Sequence, residues 1–185
     1  MAHHVCPWWL GYFLISPLRR WLSDPAKLLS PYVREGMTVL EPGPGMGFFT
    51  LEFARLVGPS GRVVAVDVQP KMLAALKRRA VKAGLMERLD ARLAEPDSMG
   101  VKDLKGQVDF AMAFAVVHEI PAPDRFFSEV AEALKAGALF LFAEPKGHVK
   151  SEMFDRELKA AAQVGFEVTD HPAIRRSRTA LLKKL

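Results

Sequence analysis

The chain has 185 residues, the length of one ordinary domain, and half of them are apolar, which is enough to build a sizeable core. Its single cysteine, Cys6, excludes an internal disulfide bond and fits a reducing compartment, so we expect a cytoplasmic protein. A formal net charge of +5 suits an anionic partner but is equally ordinary for a cytosolic enzyme.

The first 30 residues are irregular and rich in aromatic side chains, which either cap a substrate pocket or pack on the core. Their apolar run at residues 8–15 is shorter than the ~20 residues of a membrane span, so we predict no transmembrane segment. Three possible metal ligands near the N-terminus are one fewer than a structural zinc site uses, and we predict no metal. The expected organisation is a cap segment at residues 1–30 and a core domain at residues 31–185.

Strands and helices alternate along the rest of the chain. Apolar and β-branched runs predict strands at residues 37–41, 62–67, 89–94, 108–114 and 138–144. Helical spacing and Pro or Gly at the ends predict helices at residues 48–57, 70–84, 123–136 and 151–165. Two final strands are predicted at residues 166–172 and 173–184. This alternation indicates a parallel sheet with helices on both faces.

Three glycines, Gly43, Gly45 and Gly47, stand between the first strand and the first helix of this pattern. A glycine turn at the carboxyl end of a strand lets the backbone approach a ligand closely, because no Cβ intervenes. Asp67 ends the second strand, where a carboxylate can accept both hydroxyls of a ribose. These features predict a nucleoside cofactor and leave a nicotinamide dinucleotide and S-adenosylmethionine both open.

The acidic residue before the turn separates the two cofactors. Glu41 would repel the pyrophosphate of a dinucleotide, whereas it would attract a sulfonium or an ammonium group. The sequence G-P-G-M-G is also one residue tighter than the dinucleotide pattern G-x-G-x-x-G. The site therefore favours a nucleoside that carries a positive charge.

Four segments together resemble the motifs of class I S-adenosylmethionine-dependent methyltransferases: VLEPGPGMG, VVAVDVQPKML, VDFAMAFAVVHEI and EALKAGALFLFAEP. The resemblance covers roughly residues 35–145, and it is strongest to the type 11 group, which includes quinone-biosynthesis methyltransferases. It implies S-adenosyl-L-methionine as the cofactor. It also implies a Rossmann-like, doubly wound α/β fold, with a seven-stranded, mostly parallel sheet, a C-terminal antiparallel strand and three α/β/α layers.

The resemblance further implies cofactor-binding positions at or just after the ends of the first four strands: Glu41, Gly43, Gly45, Gly47, Asp67, Val68, Met72, Ala94, Ala113 and Phe114. The first four would hold the methionine end, and Asp67 would bind the ribose. Val68 and Met72 would lie beside the adenine, and Ala113 and Phe114 on the sulfonium side. Leu93 stands where the family often has an acid for the adenine amino group, so Glu95, Asp97 or the backbone would have to replace that contact.

The sequence indicates the catalytic residues and the methyl acceptor less clearly than the cofactor site. His118 and Glu119 follow the fourth strand and His148 follows the fifth, on the same rim of the predicted sheet. A histidine can accept a proton near pH 7, so His118 and Glu119 are the candidate catalytic residues, and a loop histidine bonded to the backbone is the alternative. The expected acceptor is a small molecule; the sequence indicates neither its identity nor an oligomeric state.

Two other functions stay open, a nucleic-acid methyltransferase and a cofactor-binding module without catalysis. Base-amino methylases of this fold carry an Asn/Asp-Pro-Pro-aromatic motif after the fourth strand. Its absence here counts against methylation of a base amino group, though not against ribose or carbon targets in a nucleic acid. Basic residues near the C-terminus could bind phosphate, but we favour a charged edge strand that resists aggregation. These residues are Arg175, Arg176, Arg178, Lys183 and Lys184.

Overall fold

The computed structural model describes residues 24–95 and 98–185. The described chain divides into two compact units, one that ends at Ala94 and one that begins at Glu95. Most of the expected cap segment, with its aromatic run, lies outside the described residues, so the division into cap and core stays a prediction. Within the described ranges, every helix is too short or too polar to cross a membrane.

The first unit alternates helices and parallel strands. Its elements are α1 (Pro25–Leu29), β1 (Thr38–Pro42), α2 (Thr50–Leu56), β2 (Arg62–Asp67), α3 (Pro70–Lys82) and β3 (Leu89–Leu93). Strand β2 pairs in parallel with both β1 and β3, and all of its residues after Arg62 are buried, as expected for a central parallel strand covered on both faces. Helix α3 begins at Pro70 and buries Met72, Leu73 and Leu76 on one face, which fixes it against the sheet.

The second unit contains β4 (Val108–Phe114), α4 (Pro123–Ala133), β5 (Leu134–Pro145), α5 (Ser151–Gln163), β6 (Phe166–Asp170) and β7 (Ser177–Lys184). Strands β4 and β5 are parallel, and β7 is antiparallel to both β5 and β6. Phenylalanine rings form much of its core. The ring of Phe142 stacks on Phe154 of α5 at 5.0 Å and meets Phe127 of α4 edge-on at 5.6 Å, so the strand and both helices share one packed centre.

The strands follow the order β3-β2-β1-β4-β5-β7-β6 in a seven-stranded sheet. This topology confirms the predicted Rossmann-like fold, with a mostly parallel sheet and an antiparallel C-terminal strand.

The largest differences from the predicted boundaries lie around Gly137 and at the start of the last strand. The helix predicted to end before Gly137 already ends at Ala133, and Gly137, with φ of 77°, lies inside β5. The register between β4 and β5 shifts after Val108, so this glycine serves an irregular strand rather than a helix end. The last strand, predicted from residue 173, begins at Ser177, because Arg176 takes a positive φ of 61° in the turn before it. Since this strand lies between β5 and β6, the prediction of a charged edge strand is wrong.

Candidate functional site

The glycine turn follows β1 and uses three positive φ angles, 68° at Gly43, 55° at Gly45 and 83° at Gly47. A Cβ at Gly47 would collide with the side chain of Leu76 on α3, so the turn packs tightly on that helix. A Cβ at Gly45 would meet none of the described residues within 4 Å. The turn is therefore closed on its helix side and open at Gly45, as a ligand cradle requires.

Asp67 lies against this turn because β1 and β2 run parallel and end at the same edge. Its Oδ2 accepts a hydrogen bond from Gly45 N at 3.2 Å, and its Oδ1 accepts one from Gln69 N at 2.8 Å. The Asp67 side chain is buried, and the two backbone donors fix its orientation. The structure thus brings together the glycine turn and the acid that sequence reasoning had linked.

Glu41 is only 3% exposed, and its Oε2 has no hydrogen-bond partner among the described residues. The buried Oγ1 of Thr50 likewise has none. Burial raises the pKa of Glu41 to about 8; the nearby Thr50 hydroxyl opposes this shift, and the Asp67 carboxylate adds to it. Glu41 is therefore mostly protonated at pH 7, and its Oε2 lacks a donor among the described residues, which an ammonium group could supply.

The edge beyond β2 and β3 carries two exposed apolar side chains. Val68 is 48% exposed and Leu93 is 59% exposed, although both belong to large apolar residue types. Ala94 N donates to the carbonyl of Asp67 at 3.0 Å, which continues the pairing of the two strands by one residue. An apolar shelf therefore lies next to Asp67, and Asp97, one possible replacement for an acid at Leu93, lies outside the described residues.

Met72 lies beneath the turn rather than at the surface. It is buried in a small cluster with Met46 and Ala75, and Arg79 of α3 donates to the backbone carbonyl of Met46. These contacts connect α3 to the turn from below. The role of Met72 beside an adenine stays a prediction.

A second cluster forms in the other unit, where β4 and β5 end side by side. Glu144, at the end of β5, is fully buried; its Oε1 accepts from Val117 N at 2.8 Å and from Val116 N at 3.3 Å. Its Oε2 bonds to Nδ1 of His118 in the short 3₁₀ turn Val117–Glu119. Ala115 enters this turn with a φ of 59°, a left-handed conformation that is strained for alanine.

The contact with Glu144 sets the chemistry of His118. This hydrogen bond raises the pKa of His118 above its ordinary value, against the opposing effect of burial, and nearby carboxylates add to the shift. With Nδ1 engaged, Nε2 is the ring nitrogen left for a substrate, and it lies 3.9 Å from Oε1 of Glu119. The His148 ring packs edge-on at 5.7 Å. The structure thus places both candidate catalytic residues and His148 in one cluster.

Glu157 of α5 belongs to this cluster, and sequence reasoning missed it. It is buried, and its Oε2 has no partner among the described residues. Burial raises the pKa of Glu157 to about 7. The Glu144 carboxylate adds to this upward shift, and His118 opposes it. Its spacing in the sequence could have indicated this burial. Phe154, Glu157 and Ala161 fall on one face of α5, so the acid lies on the buried face of the helix.

The remaining two predicted cofactor positions end β4. Ala113 is fully buried beside Phe142 of β5, and Phe114, its half-buried neighbour, pairs with Ala143. Both precede the His118 turn directly. Their contact with a sulfonium stays a prediction.

Comparison with known proteins identifies the family. A family model described as a methyltransferase domain matches residues 33–176, most of the chain. The chain belongs to the class I S-adenosylmethionine-dependent methyltransferases. The predicted family, enzyme class and cofactor are thereby confirmed.

Individual relatives of this methyltransferase are distant. A ubiquinone/menaquinone biosynthesis C-methyltransferase, UbiE from Brucella canis, is 26% identical over 155 residues, which cover 82% of this chain and 57% of the relative. The chain thus spans little more than half the length of that curated relative. A SAM-dependent methyltransferase from Aquifex aeolicus is 25% identical, with a TM-score of 0.84 and coverage of 97% and 98%.

A candidate rRNA methylase from Clostridium thermocellum shares the fold at 22% identity and a TM-score of 0.67, over 88% of this chain and 94% of its own. In the described part of the chain, the open side of Gly45 and the partnerless Oε2 of Glu41 both fit S-adenosyl-L-methionine, whose methionine end carries an ammonium group.

Proposed function

We propose that this methyltransferase transfers the methyl group of S-adenosyl-L-methionine to a small-molecule acceptor. The observation that carries the proposal is the buried Oε2 of Glu41, which has no donor among the described residues, beside a glycine turn that bonds to Asp67. The acceptor class is supported by the UbiE relative, which is named as a quinone-biosynthesis C-methyltransferase. The sequence after β4 also lacks the motif of base-amino methylases.

We assign the parts of the cofactor to the residues of the first cluster. Glu41 receives the ammonium group, Gly43, Gly45 and Gly47 admit the methionine end, and Asp67 receives the ribose hydroxyls. The apolar shelf of Val68 and Leu93, with Ala94, takes the adenine. The bound cofactor supplies an already activated methyl group, so what the protein must provide is mainly alignment.

His118 is the proposed base for an acceptor that must lose a proton. Glu144 holds Nδ1–H of the ring, so Nε2 carries the lone pair when the imidazole is neutral. The proton of the acceptor moves to Nε2, and the resulting positive charge lies between Glu144 and Glu119. His148 limits the space around the ring from one side. Activity should therefore increase as pH rises through the raised pKa of His118.

Calorimetry with S-adenosylhomocysteine tests the cofactor site. The wild type should bind it and should not bind NAD, and Asp67→Ala should lose at least about tenfold in affinity, because a charge-assisted hydrogen bond contributes roughly 1.5–3 kcal/mol. Asp67→Asn should lose less. Lys82→Gln, an exposed change on the far end of α3, is the matched control. Binding of NAD alone would refute the proposal.

A second assay tests the acceptor. Transfer of a radiolabelled methyl group should be measured to a panel of quinols and phenols and, separately, to total RNA. Incorporation into a quinol or phenol that His118→Ala abolishes would support the proposal. Incorporation into RNA alone would contradict the small-molecule acceptor.

A further inference from the structure

An open groove of about 500 Å³ lies in the second unit. Its walls are the first turns of α5, the loop at residues 171–176 and the beginning of β7, and Lys146 stands at its edge just after β5. We call it the basic groove, because its charged lining residues are Lys146, Asp155, Arg175, Arg176 and Arg178, with His171 beside them. A volume of this size is typical of small-molecule sites.

The positive charge of the basic groove is largely uncompensated. The side chains of Lys146, Arg175 and Arg176 make no hydrogen bond and no ion pair with any residue in the described ranges. Arg178 uses its Nε to donate to the carbonyl of Val149 at 3.0 Å and makes no ion pair with a carboxylate of the described residues. Among the described lining residues, the one carboxylate belongs to Asp155, which is exposed. An anion in the groove would therefore meet several cations and one acid.

The loop that carries the arginines is held in place by its own hydrogen bonds. Lys146 N donates to the carbonyl of Arg176 at 2.9 Å, and Ser177 N donates to that of Ile174 at 3.1 Å. Nδ1 of His171 donates to the carbonyl of Thr179 at 2.7 Å. Arg176 itself has a left-handed φ of 61°, unfavourable for a residue with a side chain. The cations are thus presented by a preorganised turn rather than a loose tail.

Helix α5 adds to the same field. Its first residue, Ser151, lines the groove, and its N-cap, Lys150, makes no side-chain capping hydrogen bond. The first N–H groups of a helix have no intrahelical acceptor, and its N-terminus carries a partial positive charge. The floor is apolar, with Phe154, Leu158 and Pro172 among its residues. Such a lining suits an anion with an apolar body.

The basic groove begins next to the His118–Glu144 pair. Arg178 pairs with Glu144 across β7 and β5, and the next pair, Ser177 and Pro145, already borders the groove. Side chains directly opposite in an antiparallel pair leave the sheet on the same face. Lys146 follows Glu144 by two residues. The groove and the candidate catalytic histidine therefore belong to one edge of the second unit.

We propose that the basic groove binds the anionic group, a carboxylate or a phosphate, of an acceptor with an apolar body. The identification of the bound molecule as the methyl acceptor rests on the proposed function, whereas the binding of an anion does not. A small anion is favoured over a nucleic acid because the cations converge on one groove instead of following an extended stripe.

Titration of ¹⁵N-labelled protein, with and without S-adenosylhomocysteine, tests this site. The probes are benzoate, phenyl phosphate and uncharged benzamide. Benzoate or phenyl phosphate should shift amide signals within residues 146–179, and benzamide should shift them far less. Binding of benzoate alone would assign a carboxylate, and binding of phenyl phosphate alone a phosphate.

A pair of double variants provides the control. Arg175→Gln with Arg176→Gln should weaken anion binding roughly tenfold, whereas Lys77→Gln with Lys82→Gln, on the exposed side of α3, should leave it unchanged. Both variants should retain affinity for S-adenosylhomocysteine, which shows that they fold.

Equal anion affinity in the arginine variant, no anion binding at all, or binding of a 20-nucleotide RNA with no response to either small anion would overturn the proposal. Anion binding by a protein that does not bind S-adenosylhomocysteine would support the groove and contradict the proposed function.

Discussion

Glu41 is a carboxyl group in surroundings that disfavour its charge. It is buried, lies near a second acid and lacks a donor for Oε2 among the described residues. A protonated acid of this kind loses its proton when a cation arrives, because the cation stabilises the charged form. Cofactor binding and proton release should then be coupled at this one residue.

We predict that binding of S-adenosylhomocysteine at pH 7 releases close to one proton per ligand, since the pKa of Glu41 is about 8 in the free protein. Calorimetry in two buffers with different ionisation enthalpies measures this number. Glu41→Gln should abolish the release and weaken binding about tenfold or more. A wild type that releases no proton would show that the ammonium group lies elsewhere.

The hydrogen bond between His118 and Glu144 gives a second prediction at this scale. Glu144→Gln removes the negative charge but retains an acceptor for Val117 N, so the pKa of His118 should fall. The acid limb of the pH–rate profile should consequently move to lower pH. Glu119→Gln, a more distant carboxylate at 3.9 Å, should move it less. An unchanged profile in Glu144→Gln would remove His118 from the role of base.

At the scale of elements, the glycine turn is joined to α3 at two places. Gly47 packs on Leu76, and Arg79 bonds to the carbonyl of Met46. Gly45 has no such neighbour in residues 24–95 and 98–185. The same turn thus contains one glycine needed for packing and one facing open space, and substitutions can separate these two functions.

Gly47→Ala should destabilise the fold by about 1–3 kcal/mol, because it combines a positive φ with overpacking against Leu76. Gly45→Ala introduces only the backbone strain of its positive φ, about 1 kcal/mol, but it places a methyl group in the ligand cradle. Urea unfolding and S-adenosylhomocysteine titration should therefore rank the two variants in opposite orders. Identical ranking in both measurements would argue against an open cradle at Gly45.

Sequence reasoning succeeded for elements with strong local signals and failed where a side chain depends on distant packing. The apolar run of β2, and the Pro and Gly residues at the ends of α3, predicted the boundaries of both elements to within two residues. In the sequence, Gly137 looks like the residue that ends a helix. In the structure, Leu134 already pairs with Val108 of β4, so the residues before Gly137 belong to β5. The burial of Glu157 follows from how α5 lies on the sheet, so its raised pKa could not be inferred from residue type.

At the scale of the whole molecule, three titratable groups share one direction of shift. Glu41, His118 and Glu157 all have raised pKa values in the folded protein. For each, the stability contribution is fully present below the unfolded value, 4.5 for the acids and 6.5 for the histidine, and is lost as pH rises through the folded value.

The ligand-free protein should therefore lose stability between pH 5 and pH 8, by an amount on the order of a few kcal/mol. Urea denaturation at pH 5, 6.5 and 8 measures the loss. Glu41→Gln should flatten the dependence, and Asp24→Asn, an exposed N-cap at the start of α1, should leave its slope unchanged. Stability that increases over this range would refute the assignment.

Leu93 has a consequence for cofactor choice. Its exposed apolar side chain can pack against the edge of a purine ring, but it has no hydrogen-bond acceptor for that ring. Under the proposed placement, the exocyclic amino group of adenine meets no carboxylate at this position. Discrimination between adenosine and inosine forms of the cofactor should then be weaker in this protein than in a Leu93→Asp variant. The same position offers an engineer a place to introduce base selectivity with a single acidic side chain.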